Sequence, residues 1–262
     1  MPLLVEALVI FQVAAMAALI VIGGLVEGYG YGLSLGTQWP YHEKMITRAA
    51  WTDPEIWHRI LATILGLNAI AILALAPGAN TIAGLVLIAL TAILGMATLH
   101  VLAGRAPAFL QGLHGLLAYA TFITYLAVLH INGLPVWTYI EVMPVLHAFL
   151  LMVFLGGMVT GQRGYQRAIG AFIAPRTKGQ WIFVLHGLAG LLFLLVLALY
   201  ARVYPAALIL ALLQFIVGFA LFHAVNDRPE RPGILVAFHQ SMALLILLAI
   251  VYVWQVPLDW MV

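Results

Sequence analysis

Eight apolar stretches, each long enough to cross the hydrocarbon core of a bilayer, constrain this chain more than any other feature. A helix needs about 20 predominantly apolar residues to span that core. The stretches lie at about residues 5–27, 54–76, 81–103, 108–131, 139–161, 179–202, 206–225 and 233–256. Only 8% of the residues are charged, too few for the surface of a soluble domain. The sequence therefore predicts an all-α integral membrane protein with eight transmembrane helices and both termini on one side.

Four histidines stand at matching depths in the even-numbered predicted helices. His58 and His114 are 56 residues apart and His186 and His239 are 53 apart, and the corresponding members differ by 128 and 125. A single intramembrane histidine often does no more than hydrogen-bond to a neighbouring helix. Two facing imidazoles, however, are the axial ligands that a haem iron takes in a helical bundle. The repetition favours two metal-ligating pairs, and the absence of cysteine excludes thiolate ligation.

Further matches indicate an internal duplication. Gly23-Gly24 at the end of the first predicted helix corresponds to Gly156-Gly157 at the end of the fifth. A constant offset of 123 maps one set of residues onto another, Gly95, His100 and Arg105 onto Gly218, His223 and Arg228. Repeats of this kind usually form two similar bundles about a pseudo-twofold axis. We therefore expect two pseudo-twofold-related four-helix bundles, residues 1–131 and residues 132–262.

The basic residues are concentrated on the face nearest the four histidines. Ten of the 11 Lys and Arg residues belong to the loops and helix ends on that face, and only Arg202 lies on the other. The positive-inside rule would place this face in the cytoplasm. Haem propionates also attract Arg and Lys, whichever compartment they face. The count therefore leaves the orientation open, and Arg59, Arg105 and Arg228 become candidate propionate partners.

The segment from Asp53 to Arg59 carries the clearest candidate for chemistry. Pro54 suits the start of a helix, so Glu55 falls in the first turn with His58 three residues further on the same face. Such a carboxylate can take a proton or stabilise positive charge on a substrate carbon. An acid in a first helical turn is also favoured by the helix dipole alone. The offset of 128 places Phe183 at the equivalent position, which predicts chemistry in the first bundle and a permanent cofactor in the second.

Two long loops, at about residues 28–53 and 162–178, lie on the histidine face. The first of them is rich in aromatic side chains, namely Tyr29, Tyr31, Trp39, Tyr41 and Trp51. Aromatic residues in such a position either anchor the loop at the membrane interface or cap a planar ligand. The sequence leaves both alternatives open.

These residues resemble the haem A synthase family. Members of that family have a Gly-Gly-Leu-Val-Arg stretch, a glycine-rich loop, a Trp-Pro pair and a Glu-x-x-His-Arg motif that opens the second helix. The corresponding segments here are 23–27, 30–34, Trp39-Pro40 and 55–59, and the four-histidine layout covers essentially the whole chain. The chain departs from the family at Glu27, where the family has Arg, and at Leu35, where many members have a cysteine.

The resemblance implies a membrane enzyme that oxidises a ring methyl of haem O to a formyl group, giving haem A for cytochrome oxidase. It places substrate haem O between His58 and His114 and a haem b between His186 and His239, with Glu55 as the catalytic acid. It also implies that the histidine face is extracytoplasmic and the termini are cytoplasmic. Expected partners are the bilayer, an unidentified electron acceptor and, as open alternatives, a haem O synthase, an oxidase assembly protein or a second copy of this chain, but not nucleic acid.

Two other functions compete with this interpretation. A non-catalytic dihaem b-type cytochrome subunit that carries electrons would need the same four histidines, but it has little use for an acid beside only one haem. A transporter is disfavoured, because no predicted helix has the paired acids or broken centre of an ion-coupled site. The one-sided Glu55 therefore favours the enzyme.

Overall fold

The computed structural model describes residues 2–47, 52–130, 135–164 and 166–252. All of the regular elements in these ranges are helices: α1 (Leu3–Gly28), α2 (Lys44–Thr47), α3 (Pro54–Leu75), α4 (Ala79–Leu102), α5 (Phe109–His130), α6 (Val136–Val142), α7 (Pro144–Arg163), α8 (Lys178–Leu199), α9 (Pro205–Asp227) and α10 (Leu235–Val251). Seven of them are long and apolar enough to cross a membrane, and α10 is a shorter apolar helix. The prediction of an all-α, multi-pass membrane protein is confirmed, whereas the eighth span stays a prediction.

Local sequence signals explain where the helices begin. The Asp53 carboxylate accepts a hydrogen bond from the Glu55 amide at 2.9 Å, and Pro54 occupies the first helical position of α3. At the start of α8, the Thr177 hydroxyl accepts from the Gln180 amide while the Gln180 side chain accepts from the Thr177 amide, both at 3.2 Å. These caps satisfy amides that have no partner inside the helix. The two helices therefore start within a residue of the predicted positions.

One predicted span begins differently. The apolar stretch at 139–161 is divided between α6 and α7, with Met143 in an extended conformation between them. The ring of Pro144 disfavours the helical conformation for the residue before it, and proline also lacks an amide donor. The membrane-spanning part of this stretch therefore starts at Pro144, and α6 is a separate short helix.

The two halves of the chain meet through two main helix pairs. Helix α1 packs against α10, and α5 packs against α7, while α1, α3, α4 and α5 also contact one another in sequence order. If α1 and α5 correspond to α7 and α10, as the repeat predicts, these two pairs are equivalent contacts. The same contact is thus made twice by different parts of the chain.

Small residues line both of these contacts at equivalent positions. The first contact joins Gly24 and Gly28 to Gly233 and Ala237, and the second joins Gly157 and Gly161 to Ala108 and Gly112. A Cβ atom at Gly24 would lie 2.6 Å from the Ala237 Cα, and one at Gly157 would lie 2.8 Å from the Gln111 carbonyl oxygen. Small residues four apart let helix backbones approach this closely in a membrane.

A buried polar network joins α1 to α3 within the membrane. Gln12 is fully buried, and its Nε2 donates to the Leu65 carbonyl at 3.3 Å. Asn68 donates to Gln12 Oε1 at 2.7 Å and to the Leu8 carbonyl at 3.0 Å. Both side-chain amides are therefore used to fix these helices rather than to bind a ligand.

Candidate functional site

Each of the four predicted ligand histidines lies against a glycine of a neighbouring helix. A Cβ atom added at the glycine would lie close to the imidazole Cε1 in every case: 3.4 Å at Gly23 for His58, 3.3 Å at Gly95 for His114, 3.1 Å at Gly156 for His186 and 3.3 Å at Gly218 for His239. At Gly95, Gly156 and Gly218 a Cβ atom would require the imidazole to move by a few tenths of an ångström, whereas at Gly23 it would make an ordinary van der Waals contact with the ring. The four glycines that mark the duplication therefore have one common role, which is to seat an imidazole.

The paired glycines divide two tasks between adjacent residues. Gly23 contacts the His58 ring, while Gly24 contacts the backbone of α10. Gly156 and Gly157 repeat the arrangement with the His186 ring and the backbone of α5. Neighbouring residues in a helix point about 100° apart, so one glycine can face the histidine and the other a packed helix. The Gly-Gly motif thus links the histidine sites to the contacts between the two halves.

Two of the imidazoles have a fixed tautomer. His114 Nδ1 is 3.0 Å from the Thr91 carbonyl oxygen, and His186 Nδ1 is 3.1 Å from the Met152 carbonyl oxygen. Because a carbonyl only accepts, each Nδ1 must carry the proton and donate. The neutral ring then has its lone pair on Nε2, the form in which histidine binds a metal.

The other two imidazoles are less firmly held. The Nδ1 atoms of His58 and His239 are both buried without a hydrogen-bond partner among the described residues. The Leu19 carbonyl interacts with the His58 ring, although it does not reach hydrogen-bond geometry at Nδ1. Leu19 stands four residues before Gly23, just as Thr91 stands four before Gly95 and Met152 four before Gly156. Of the four candidate ligands, His239 is the one for which the described residues show no such carbonyl contact.

Electrostatic interactions link the histidines within each predicted pair. His58 interacts electrostatically with His114, and His239 interacts with His186. No group of three or more His, Asp or Glu side chains in the described ranges is arranged to hold a bare metal ion. Each candidate site therefore offers a pair of imidazoles, the ligand number that a planar macrocycle with two axial positions requires.

Glu55 is buried and engaged in a network that fastens the first long loop to α3. Its Oε2 accepts from the Ser34 hydroxyl at 2.8 Å and from the Leu35 amide at 3.3 Å. Its Oε1 pairs with Arg59, whose guanidinium also donates to the Gln38 carbonyl at 2.7 Å. The carboxylate is therefore held in one orientation, one turn before His58 in the same helix.

The first loop packs between the start of α3 and the end of α4. Leu35 is 2% exposed, and a Cβ atom at Gly32 would lie 2.7 Å from Leu102 Cδ1. Three of its aromatic side chains are exposed, namely Tyr29, Trp39 and Tyr41. That exposure fits interfacial anchoring for these three side chains. Trp51 and Arg48, which belong to the same loop, lie outside the described residues.

In the second half of the chain, aromatic contacts of Phe183, the residue at the position equivalent to Glu55, hold the long loop. The Phe183 ring lies 5.7 Å from that of Phe172, which belongs to the loop, and 4.8 Å from that of Phe222 in α9. Aromatic pairs at these separations stabilise the contact between their segments. The sequence pattern does not predict this loop-anchoring role, although the offset of 128 relates Phe183 to Glu55.

The three candidate propionate partners differ in their surroundings. The Arg59 side chain is 9% exposed and belongs to the Glu55 network. The Arg228 side chain is 80% exposed and lies 3.4 Å from the Asp227 carboxylate, and Arg105 is exposed. His223, which corresponds to His100 in the repeat, contacts the rings of Phe219 and Phe222. Among these arginines, only Arg59 is held beside a histidine pair.

A buried ion pair that the sequence did not predict joins the two repeats. Arg163, at the end of α7, donates to the Glu27 carboxylate of α1 at 2.9 Å. The same guanidinium donates to the Pro229 carbonyl at 2.9 Å and to the Arg167 carbonyl at 2.8 Å. Through Arg163, Glu27 thus fixes the ends of two helices and two loops on the histidine face.

Searches of protein-family models and of curated proteins find no match to this chain. The two histidine pairs and the Glu55 network are therefore the basis for a function.

Proposed function

We propose that the protein is a haem A synthase, in which residues 1–131 and 132–262 form two pseudo-twofold-related four-helix bundles with eight membrane spans. The observation that carries this proposal is the fourfold seating of His58, His114, His186 and His239 on glycines, with the rings paired inside each half. The duplicated contacts of α1 with α10 and of α5 with α7 support the pseudo-twofold arrangement.

The residues present fit a haem in each half. Nδ1 donation to a backbone carbonyl at His114 and His186 leaves Nε2 as the ligating atom, and the second-shell carbonyl also orients the ring. His186 and His239 would hold a resident haem b, which supplies one-electron transfer when bound. His58 and His114 would hold the substrate, haem O, whose ring methyl is oxidised to a formyl group. With water as the source of the oxygen atom, this oxidation releases four protons and four electrons, and the electrons pass to the acceptor.

Glu55 is the residue that distinguishes the first site from the second. Ser34, Leu35 and Arg59 hold its carboxylate one turn before His58, so it is positioned to accept a proton or to stabilise positive charge on the substrate. The equivalent residue, Phe183, has neither capacity. We assign the chemistry to the first site for this reason.

One observation favours the rival function of a dihaem b-type cytochrome. The hydrogen bonds and the ion pair of Glu55 all go to the first loop or to Arg59, and an aromatic cluster holds the second loop from the equivalent position. Glu55 would then be a loop anchor only. The two functions predict different haems and different effects of substitution at Glu55.

Extraction and identification of the haems from the purified protein tests the proposal directly. The synthase should contain haem B together with haem O or haem A. Haem B as the sole haem in both sites would identify the cytochrome. A purified, folded protein that neither retains nor binds any haem would overturn both functions.

Glu55→Gln tests the assignment of the chemistry. The variant keeps the side-chain size and one accepting oxygen, so it should retain haem, yet form haem A more slowly by a factor of about 10²–10⁴. Ser34→Ala is the matched control, because it removes one loop contact of Glu55 but keeps the carboxylate. Near-normal haem A formation by Glu55→Gln, or an equal loss in both variants, would leave Glu55 as a loop anchor.

The proposal includes an orientation. The histidine face would be extracytoplasmic and the termini cytoplasmic in the cell membrane, so that the basic residues of this face serve the propionates or the buried pair with Glu27. Arg163 already has such a role inside the protein. The positive-inside count would then not report the topology of this chain.

A further inference from the structure

At the second histidine site, two residues that are hydrogen-bonded to each other each have a buried polar atom without a partner among the described residues. His239 Nδ1 is buried with no hydrogen bond among the described residues, and so is Gln214 Oε1. Gln214 is 6% exposed, and its Nε2 donates to the His239 backbone carbonyl at 2.9 Å. The side-chain amide of Gln214 is therefore hydrogen-bonded to the backbone of His239, whose own imidazole Nδ1 lacks a partner among the described residues.

The identity of the Gln214 atoms follows from this hydrogen bond. A backbone carbonyl only accepts, so the atom that contacts it must be the NH₂ group and the free atom must be the oxygen. That oxygen is an acceptor and requires a donor. Leaving such a group buried and unsatisfied destabilises the folded protein.

The protonation of His239 decides whether it can supply that donor. With the proton on Nε2, Nδ1 is an acceptor and cannot pair with Gln214 Oε1. When Nε2 ligates iron, the proton of the neutral ring has to sit on Nδ1, which becomes a donor. Ligation would thus convert two mismatched buried atoms into a donor and an acceptor.

We propose that Gln214 is a positioning residue that accepts a hydrogen bond from His239 Nδ1 and holds this imidazole as a haem ligand. This inference rests on the proposed function, since it assigns a partner to one of the proposed ligands. The other three rings are seated against backbone carbonyls four residues before their glycines. At His239 the side chain of the residue in that same position, four before Gly218, replaces the backbone.

Position 91 provides a matched control. The offset of 123 places Thr91 at the position equivalent to Gln214, but there the backbone carbonyl accepts from His114, while the hydroxyl donates to the Leu87 carbonyl at 2.7 Å. Thr91→Val therefore removes a side-chain hydrogen bond without removing the imidazole acceptor. Gln214→Leu removes the proposed acceptor and keeps a similar side-chain volume.

The test is the redox potential and the EPR spectrum of the low-spin haem in the purified variants. An acceptor on Nδ1 makes the ligand more basic and stabilises the oxidised iron. We expect Gln214→Leu to raise the midpoint potential, to shift the low-spin EPR signal and to weaken haem retention by about 10- to 100-fold. Thr91→Val, which lies at the first histidine site, should leave the signals of the haem between His186 and His239 as in the wild type.

If the leucine variant does not fold, Gln214→Glu tests whether the side chain at this position accepts a hydrogen bond from His239 Nδ1. A glutamate, like leucine, cannot donate to the His239 carbonyl, but it retains an accepting oxygen and strengthens it. The midpoint potential should therefore move in the negative direction, opposite to the leucine variant, which separates the acceptor from the lost donor. Unchanged potential and EPR signals in Gln214→Leu, or in Gln214→Glu when only that variant folds, would overturn the role of Gln214. A wild-type protein without any low-spin bis-histidine haem would instead refute the proposed function, and the two failures are therefore distinguishable.

Discussion

Substitution of two adjacent glycines by alanine should have opposite effects on stability. Replacing glycine by alanine inside a helix stabilises a protein by about 0.5–1 kcal/mol through backbone entropy. At Gly23, the new Cβ would meet His58 Cε1 at 3.4 Å, which is an ordinary van der Waals distance. At Gly24, it would lie 2.6 Å from Ala237 Cα and 3.0 Å from Ala237 N, so α1 and α10 would have to separate. Overpacking of this kind costs about 1–3 kcal/mol.

Comparing Gly24→Ala with Gly23→Ala isolates the effect of the contact between Gly24 and Ala237, because both variants gain the same helix propensity. Gly24→Ala should therefore be less stable than Gly23→Ala by about 1–3 kcal/mol. For a chain of this size, the difference corresponds to about 2–12 °C in the midpoint of thermal unfolding. Circular dichroism of the two proteins in the same detergent measures it. Equal midpoints, or a lower midpoint for Gly23→Ala, would refute the close approach of α1 and α10 at Gly24.

Three further predictions concern other parts of the chain. Arg163→Gln leaves Glu27 buried without its cation and should lower the free energy of unfolding by about 3–5 kcal/mol. The double variant with Glu27→Gln should recover most of that loss. A double variant as unstable as Arg163→Gln alone would contradict the ion pair. Asn68→Leu leaves the side-chain oxygen of Gln12 in α1 without its donor and should lower the free energy of unfolding by about 1–3 kcal/mol. An unaltered free energy of unfolding would mean that the network does not join α1 to α3. Because the chain has no cysteine, Glu43→Cys should react with a membrane-impermeant thiol reagent on intact cells and Ala79→Cys should not; the reverse pattern would place the histidine face in the cytoplasm.

The sequence by itself determined the helices and the location of the candidate ligands. A segment that spans a bilayer satisfies its own backbone hydrogen bonds, so its limits depend on its apolar length and on local caps such as Asp53 and Thr177. For this reason the predicted spans match the long helices to within a few residues, except before Pro144. The histidine spacing also predicts the pairs, because side chains at one depth in repeated helices recur at similar intervals.

Only the tertiary structure decided what each of these residues contacts. Gly23 and Gly24 are adjacent residues of the same type, yet Gly23 contacts the His58 imidazole and Gly24 contacts the backbone of α10. Which of these neighbours each glycine meets depends on how the other helices pack around α1. Glu55 receives its donors from a loop 20 and 21 residues away, and Glu27 meets Arg163 across 136 residues. Such contacts arise from the packing of whole helices and loops, which no local pattern in the chain records.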